Sequence, residues 1–253
     1  MSTSEPVVSV VDLYKSFGDL HVHRGISFDL HRGETLVLLG PSGTGKSVLI
    51  KMIIALLTPD RGEVRVFGRP IHTLGRRELA AVRVRMGFAF QHSALYDSMT
   101  VAENLAFPLE MNRAHLTDAE INDRVSAVLE DVGLPGTRDQ MPASLSGGQR
   151  KRIGVARSLI MKPEIMLYDE PTAGLDPIAA AEFNELLLRV AAEYHTASIM
   201  ITHDLASAKA VADRVLMLFD GKVYRSGTFA EVFATEDPRM RAFYDYNFTE
   251  EGA

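Results

Sequence analysis

The sequence contains no cysteine among its 253 residues. A chain without cysteine can form neither a disulfide framework nor a thiolate metal site, so both are excluded. Basic residues are also scarce relative to acidic ones: 27 Lys and Arg stand against 33 Asp and Glu, for a formal net charge of -6. Because nucleic-acid-binding proteins usually present a basic face, we expect no nucleic acid among the partners.

Long apolar runs are absent as well. No segment approaches the ~18 consecutive apolar residues that a spanning helix needs. The richest runs, TLVLLG and VLMLF, have the length of a strand. The N-terminal MSTSEPVVSV lacks the basic start and the apolar core of a secretory signal. We therefore expect a soluble chain that reaches a membrane only through a partner.

The hydrophobic pattern predicts an α/β protein. Residues 6–34 alternate between apolar and polar side chains, which predicts antiparallel strands. The segments 35–40, 165–168 and 197–202 (TLVLLG, IMLY and ASIMIT) are apolar runs of strand length. Such runs are typical of strands buried on both faces of a mainly parallel sheet.

Helical spacing dominates from about residue 74 to residue 161, and Thr117 with Glu120 forms a capping-box pattern there. We interpret this stretch as a helical lobe inserted into the core. The last residues, DPRMRAFYDYNFTEEGA, combine aromatic side chains with an acidic end and are interpreted as a contact tail, which includes Phe243, Tyr244, Tyr246 and Phe248.

A glycine-rich phosphate loop is predicted at residues 40–47, whose sequence GPSGTGKS fits G-x-x-x-x-G-K-[ST] between an apolar strand and a predicted helix at 46–57. Glycines let the backbone N–H groups approach phosphate oxygens, and the helix adds its positive dipole end. Lys46 should reach the β- and γ-phosphates, and the Ser47 hydroxyl should bind Mg²⁺. The full set of nucleotide-binding candidates here is Gly40, Pro41, Ser42, Gly43, Thr44, Gly45, Lys46, Ser47 and Val48.

Polar side chains follow three further apolar strands. Asp169 and Glu170 end the strand IMLYDE, His203 follows ASIMIT, and Gln91 closes MGFAFQ. We expect Asp169 to hold Mg²⁺, Glu170 to orient or deprotonate the attacking water, His203 to contact the γ-phosphate, and Gln91 to reach Mg²⁺ or that water. Adjacent residues on a strand point apart, so the two carboxylates can serve different atoms.

A second glycine-rich loop, SLSGGQRKR, lies 100 residues downstream of the first. Ser146 and the N–H groups of Gly147 and Gly148 open a predicted helix whose N-terminus can bind a phosphate. A helix cap without any ligand is the alternative interpretation, because serine caps helices well.

Together these motifs resemble those of the nucleotide-binding subunit of ATP-binding cassette (ABC) proteins. GPSGTGKS resembles Walker A, Gln91 the Q-loop glutamine and LSGGQ, which ends at Gln149, the signature loop. IMLYDE resembles Walker B with Glu170 as its catalytic glutamate, AGLD (173–176) the D-loop and His203 the switch histidine. Phe17 matches the aromatic residue on which adenine stacks, with Tyr14 as its rival.

The resemblance implies the P-loop NTPase fold of ABC ATPases, with ATP and Mg²⁺ as cofactors. It implies a single ABC ATPase domain over residues 1–253, with a RecA-like core at 1–90 and 163–230, a helical lobe at about 91–162 and a tail at 231–253. It also implies a head-to-tail pair of two copies, in which each ATP lies between Walker A of one chain and the signature loop of the other. The signature loop would then serve a nucleotide held by the second copy.

Within the family, QHSALYDSMTVAENLAFPLEM, LYDEPTAGLDPI and DPRMRAFYDY are similar to the ATPases of Mla-type phospholipid transporters, which work with MCE proteins. This similarity implies an integral permease bound at the helical lobe, an MCE-domain protein and a small regulatory subunit as partners. The chain would then be peripheral on the cytoplasmic face of the inner membrane. Two alternatives stay open: transport of another substrate such as an amino acid, drug or lipoprotein, and a soluble iron–sulfur assembly ATPase.

Overall fold

The computed structural model describes residues 5–90, 93–112 and 116–249. The strands, in chain order, are β1 (Val8–Phe17), β2 (Leu20–Leu30), β3 (Thr35–Leu39), β4 (Arg61–Val66), β5 (Arg69–Pro70), β6 (Met86–Ala89), β7 (Ile165–Asp169), β8 (Ala197–Ile201), β9 (Arg214–Phe219) and β10 (Lys222–Gly227). The α-helices are α1 (Lys46–Ile53), α2 (Arg76–Val84), α3 (Val101–Met111), α4 (Asp118–Asp131), α5 (Gly147–Leu159), α6 (Pro177–Tyr194), α7 (Leu205–Val211), α8 (Phe229–Phe233) and α9 (Pro238–Thr249).

The chain forms two compact units, Met1–Val82 with Ala197–Ala253 and Arg83–Thr196. In the first unit, β1 pairs antiparallel with β2, as the alternation of residues 6–34 predicted, and also with β4. The apolar strand β3 pairs parallel with both β8 and β9, and β10 closes a hairpin with β9. All five residues of β3 are buried, which is the burial that a wholly apolar strand requires.

The second unit contains the parallel pair β6 and β7 and the helices α3 to α6. Three of these helices begin with a complete capping box, in which a hydroxyl and a carboxylate or amide three residues later satisfy each other's backbone N–H groups. The pairs are Thr100 with Glu103, Thr117 with Glu120, and Ser146 with Gln149. Helix α3 packs on α4 and α5, which confirms the predicted helical lobe.

One predicted boundary was wrong, and the predicted tail contains a helix. Helix α1 ends at Ile53 rather than at residue 57, because Ala55 adopts a left-handed φ of 54° and the Leu56 and Leu57 N–H groups turn back to the Lys51 carbonyl. The tail is helical: Asp237 accepts a hydrogen bond of 2.9 Å from the Arg239 N–H and so starts α9.

Helix α9 is anchored on its own chain. Met240 and Phe243 are buried, and the Phe243 ring lies edge-on to Phe219 with 6.2 Å between centroids. Arg239 covers the other side of Phe219 and forms an ion pair of 2.7 Å with Asp220. Phe243 is therefore occupied within the chain, Tyr246 stays 65% exposed, and the Phe248 side chain lies outside the described part of the structure.

Asn104 is expected to be the most sensitive polar residue of the helical lobe. It is fully buried, accepts the Tyr96 N–H at 2.8 Å and donates to the carbonyls of Tyr96, Met99 and Thr100 at 3.0–3.1 Å. Asn104→Ala leaves these backbone groups without partners, so we expect the free energy of unfolding to fall by about 3 kcal/mol in urea titrations.

The matched control is the exposed Asn122, whose Oδ1 accepts a bond from Arg138. Asn122→Ala should change the free energy of unfolding by less than about 0.5 kcal/mol. Equal losses in the two variants would contradict the role of Asn104 in holding the segment that precedes α3.

Candidate functional site

The phosphate loop lies in the first unit, between β3 and α1, where the motif predicted it. Gly43 and Gly45 have left-handed φ values of 82° and 88°. Gly40 has φ 151°, and a Cβ there would lie 2.4 Å from the Leu218 carbonyl oxygen. A side chain is therefore excluded at Gly40 by contact with β9 and disfavoured at the other two positions by backbone conformation.

Lys46 brings a positive charge into this loop. Its side chain is 9% exposed, and its Nζ donates to the carbonyl oxygens of Gly40 at 2.7 Å and Pro41 at 3.0 Å. The Thr44 hydroxyl donates to the same Pro41 carbonyl at 2.9 Å, which tightens the turn. A loop that combines an ammonium group with a helix N-terminus has the chemistry of a phosphate site.

His203 lies at the same place in the first unit. It is exposed after β8 and lines a cavity of ≈ 680 Å³ together with Gly40, Pro41 and Ser42. The opposite wall is built by β9 and α9 through Phe219, Arg239, Ala242, Phe243, Tyr246 and Asn247. The sequence did not predict the wall that α9 contributes, and the contact of His203 with the γ-phosphate stays a prediction.

Of the two aromatic candidates for adenine, Phe17 is the more available. It ends β1 and is 47% exposed, with the Lys15 ammonium 5.3 Å from its ring centroid. Arg61 covers the Tyr14 ring at 4.8 Å, and a Cβ on Gly25 would lie 3.0 Å from the Tyr14 hydroxyl. The geometry favours Phe17 as the stacking surface, which stays a prediction.

The second unit carries the two acidic candidates. Asp169 is the last residue of β7, but Glu170 has left the strand and adopts a left-handed φ of 50°. We expected the two carboxylates to point apart because both residues would lie on one strand. That reason was wrong, because Glu170 lies after the end of the strand. A non-glycine residue held in this conformation costs on the order of 1–3 kcal/mol and is often found at functional sites.

Lys151 is a charged neighbour of Glu170 that sequence reasoning missed. It lies in α5, two residues after Gln149, and its Nζ donates to the Pro171 carbonyl at 2.9 Å. Burial lowers the pKa of Lys151, whereas the charge of Glu170 acts to raise it. In the sequence, Lys151 is one of several basic residues in the run QRKR, which is part of the second glycine-rich loop SLSGGQRKR. That run does not indicate which acidic residue any one of them contacts.

Ser146 caps α5 as predicted. Its hydroxyl accepts the Gln149 N–H at 3.2 Å, and the Gln149 side chain accepts the Ser146 N–H at 2.9 Å. A Cβ at Gly147 would meet no atom within 4 Å, so the helix start has an open side. Both the cap and an anion site at this N-terminus are compatible with this geometry.

The candidate residues thus form two groups. The first unit brings together residues 40–48 and His203, with Phe17 at the end of β1, and the second holds the Asp169–Glu170 pair and the loop of Ser146–Gln149. Gln91 lies outside the described residues. The individual roles assigned to these residues stay predictions.

Mg²⁺ would find hard oxygen ligands at the proposed positions: the Ser47 hydroxyl, the Asp169 carboxylate and the side-chain carbonyl of Gln91. Such a set fits Mg²⁺, which usually takes one or two protein oxygens and completes its shell with phosphate and water. Within residues 5–90, 93–112 and 116–249, no cluster of three or more His, Asp or Glu side chains could hold a metal by itself.

Comparison with known proteins shows which family carries these motifs. Residues 23–173 match a family model described as ABC transporter. The chain is 37% identical to the chloroplastic protein trigalactosyldiacylglycerol 3 of Arabidopsis thaliana, over 95% of this chain and 74% of that protein. It is 38% identical to the probable ribonucleotide transport ATP-binding protein mkl of Mycobacterium leprae, over 93% and 68%. It is 39% identical to the methionine import ATP-binding protein MetN of Brucella abortus, over 92% and 63%.

Solved structures show the same fold. Clostridium perfringens cbiO1, described as part of the ABC transporter complex cbiONQ, superposes with a TM-score of 0.84 at 30% identity, over 98% of this chain and 97% of that one. The cassette MJ0796, solved as a dimer after hydrolysis with ADP and Pi, gives 0.79 at 30% identity, over 88% and 98%. These matches confirm the predicted fold class and the predicted ATPase activity with ATP and Mg²⁺.

The described helices include none that is both long and apolar enough to cross a membrane. The phosphate loop, the strand-end carboxylates and the second glycine loop lie in one chain, and the family model matches more than half of that chain. The chain belongs to the ABC transporter family, as an ATP-binding cassette that hydrolyses ATP.

Proposed function

We propose that this chain is the ATPase subunit of a membrane transporter that moves phospholipid with an integral permease. The proposal that the cargo is a lipid rests on one observation: the chain is 37% identical, over 95% of its length, to a protein named after a diacylglycerol lipid. The similarity of DPRMRAFYDY and of the segment 91–111 to Mla-type ATPases supports the same class. On this proposal an MCE-domain protein and a small regulatory subunit complete the complex.

Two copies of the chain pair head to tail in the proposed working state. The dimeric cassette of MJ0796, 29% identical over 88% of this chain, supports such a pair. Lys46 and residues 40–48 of one copy hold the ATP phosphates, and the open helix start at Ser146 of the other copy faces the γ-phosphate. Each copy thereby completes the site of its partner, which gives the second glycine-rich loop its function.

Hydrolysis is the next step of the proposal. Glu170 orients the attacking water and accepts its proton as the water oxygen bonds to the γ-phosphorus, while the bond from that phosphorus to the β-γ bridging oxygen breaks. ADP and inorganic phosphate leave, and Lys46 and His203 stabilise the charge of the transferring group. Because ATP bridges the two copies, its hydrolysis separates them and resets the permease.

The permease has a candidate docking groove on the helical lobe. A cavity of ≈ 640 Å³ lies between α3 and α4, with Met99, Phe107 and Ile121 among its apolar lining. Its acidic members are Glu103, Glu110 and Asp118, against Arg138 as the basic one. The groove therefore suits a short helix of the permease that has an apolar face and Lys or Arg at its edge.

Beside this groove, Tyr96 is held in a fixed orientation. Its ring lies edge-on to Phe107 at 5.1 Å, Arg157 stacks on it at 4.7 Å, and its backbone is bound by Asn104. A residue that is 43% exposed and yet so restrained loses little entropy when a partner covers it. This position supports the permease contact that the sequence predicted for the lobe.

With a permease bound there, the chain would be peripheral on the cytoplasmic face of the inner membrane. A second candidate function is the transport of a polar solute by the same ATPase mechanism. The relatives named for ribonucleotide transport and methionine import, at 38% and 39% identity, favour it. The cassette itself would act identically in either case, since the cargo is bound by the permease complex.

The test is affinity purification of the tagged chain from its native membrane in mild detergent, followed by mass spectrometry of proteins and lipids. Recovery of a permease with an MCE-domain protein and phospholipid is the expected result. A different permease without lipid would replace the lipid proposal by solute transport. Recovery of no membrane protein would overturn the transporter proposal and favour a soluble assembly ATPase.

Charge reversal in the groove tests the docking surface separately. Glu110→Lys places a positive charge where a basic helix is proposed to bind, so we expect the permease recovered per mole of cassette to fall on the order of tenfold. Glu193→Lys, a reversal at an exposed position on α6, is the matched control and should leave recovery unchanged. Full recovery with Glu110→Lys would remove the groove from the interface.

A further inference from the structure

A buried histidine lies directly under the phosphate loop. His23, in β2, is 1% exposed, and its Nε2 lies 3.1 Å from the Gly45 carbonyl oxygen. A carbonyl can only accept, so Nε2 carries the proton of this hydrogen bond. Burial lowers the pKa of His23, which keeps the ring neutral and leaves Nδ1 as a bare acceptor. None of the described residues donates a hydrogen bond to that Nδ1.

The carbonyl that His23 holds belongs to the peptide that begins α1. The Gly45 oxygen also accepts the Leu49 N–H at 2.9 Å, so two donors fix its direction. In a planar trans peptide the N–H points opposite to the C=O. The N–H of Lys46 is therefore aimed away from the helix and into the loop, where the phosphates are proposed to bind.

The phosphate loop packs closely against β2 at this point. A Cβ on Gly45 would lie 2.4 Å from Val22 Cγ1 and 2.6 Å from His23 Nε2. The strand is itself fixed from the other side, because the Arg24 N–H donates to the Gly221 carbonyl at 2.8 Å and a Cβ on Gly221 would lie 2.4 Å from the Val22 carbonyl oxygen. His23 is thus held between the β9–β10 turn and the phosphate loop.

Packing alone does not account for a histidine at this position. A buried acceptor without a partner is destabilising, and an apolar side chain such as leucine would avoid that cost. The compensating gain is the bond to Gly45. We infer that His23 is a positioning residue of the ATPase: its imidazole holds the Gly45 carbonyl and thereby orients the Lys46 N–H toward the nucleotide phosphates.

The inference rests on the proposal that residues 40–47 bind the phosphates, and its test compares His23→Leu with His23→Gln in the full chain. Leucine removes the donor, so we expect the KM for ATP to rise about tenfold with kcat changed by less than about threefold, since the lost contact is made in the ground state too. The thermal midpoint without nucleotide should be unchanged or higher. Glutamine can donate from a similar place, so its KM should stay within about twofold of the wild-type value.

His21→Leu is the matched control, because His21 is exposed on the same strand and its Nδ1 bonds to the Ser16 hydroxyl at 2.8 Å. It should leave both kinetic constants unchanged. A wild-type KM in His23→Leu, or a raised KM that glutamine does not rescue and that accompanies a lower thermal midpoint, would overturn the inference. Lys46→Ala tests the phosphate loop separately from His23. Wild-type turnover in Lys46→Ala would refute the proposal that residues 40–47 bind the phosphates. Loss of turnover in Lys46→Ala together with wild-type kinetics in His23→Leu would refute only the role of His23.

Discussion

Replacement of Glu170 by glutamine should reduce ATP turnover by about 10²–10⁴-fold while ATP binding is retained, because the amide can orient a water but cannot take its proton. The bound ATP is then trapped between two copies, and the variant should accumulate as a closed dimer. Steady-state phosphate release, ATP binding at equilibrium and size-exclusion chromatography with light scattering measure the three effects.

Glu193→Gln is the matched control for this change, since it removes a carboxylate at an exposed position of α6 in the same unit. It should hydrolyse ATP at the wild-type rate. If Glu170→Gln itself turned over ATP like the wild type, the glutamate would lose its proposed role, and the strained φ of 50° would need another explanation.

Mixing two inactive variants should restore activity if the sites are shared between copies. Ser146→Arg places a long cation at the open helix start, and Lys46→Ala removes the charge from the phosphate loop. Each variant alone should have almost no turnover, since both of its sites are damaged. In a mixed pair, Lys46 of the first chain faces Ser146 of the second, and that site is intact.

Random pairing of equal amounts makes half of the dimers mixed, and each mixed dimer has one of two sites, so about a quarter of wild-type turnover is expected. The control replaces the Lys46→Ala chain by a double variant with both changes, which leaves no intact site in any pair. Zero recovery in the first mixture would contradict head-to-tail pairing or show that both sites are obligatory.

The sequence was most informative where backbone conformation and chemistry demand the same residue. Gly40 is required both by contact with β9 and by its place in the motif, so the pattern identified the loop. The start of α5 was predicted at the right residue because serine caps helices well, and the structure shows that Gln149 completes a capping box with Ser146. The helix start depends on interactions within a few residues, and the loop depends on one tightly constrained position.

What the sequence did not predict depends on contacts between distant segments. Helix α9 was interpreted as a tail, because nothing in the sequence shows that Met240 is buried or that Phe243 packs on Phe219 of β9. His23 lies in an alternating strand pattern in which nothing identifies Gly45 as its partner. Lys151 likewise approaches Glu170 only once α5 contacts the segment after β7, through the bond to the Pro171 carbonyl. In each case the contacts of the residue become known only from the three-dimensional structure.

The path of α9 has a practical consequence for fusion proteins. Tyr246 and Asn247 line the same cavity as Ser42 and His203, so a linker joined just after this helix starts beside the phosphate loop. We expect a fluorescent domain joined after this helix to crowd the proposed phosphate site and to lower the apparent affinity for ATP. Labels are better placed ahead of β1, which begins at Val8.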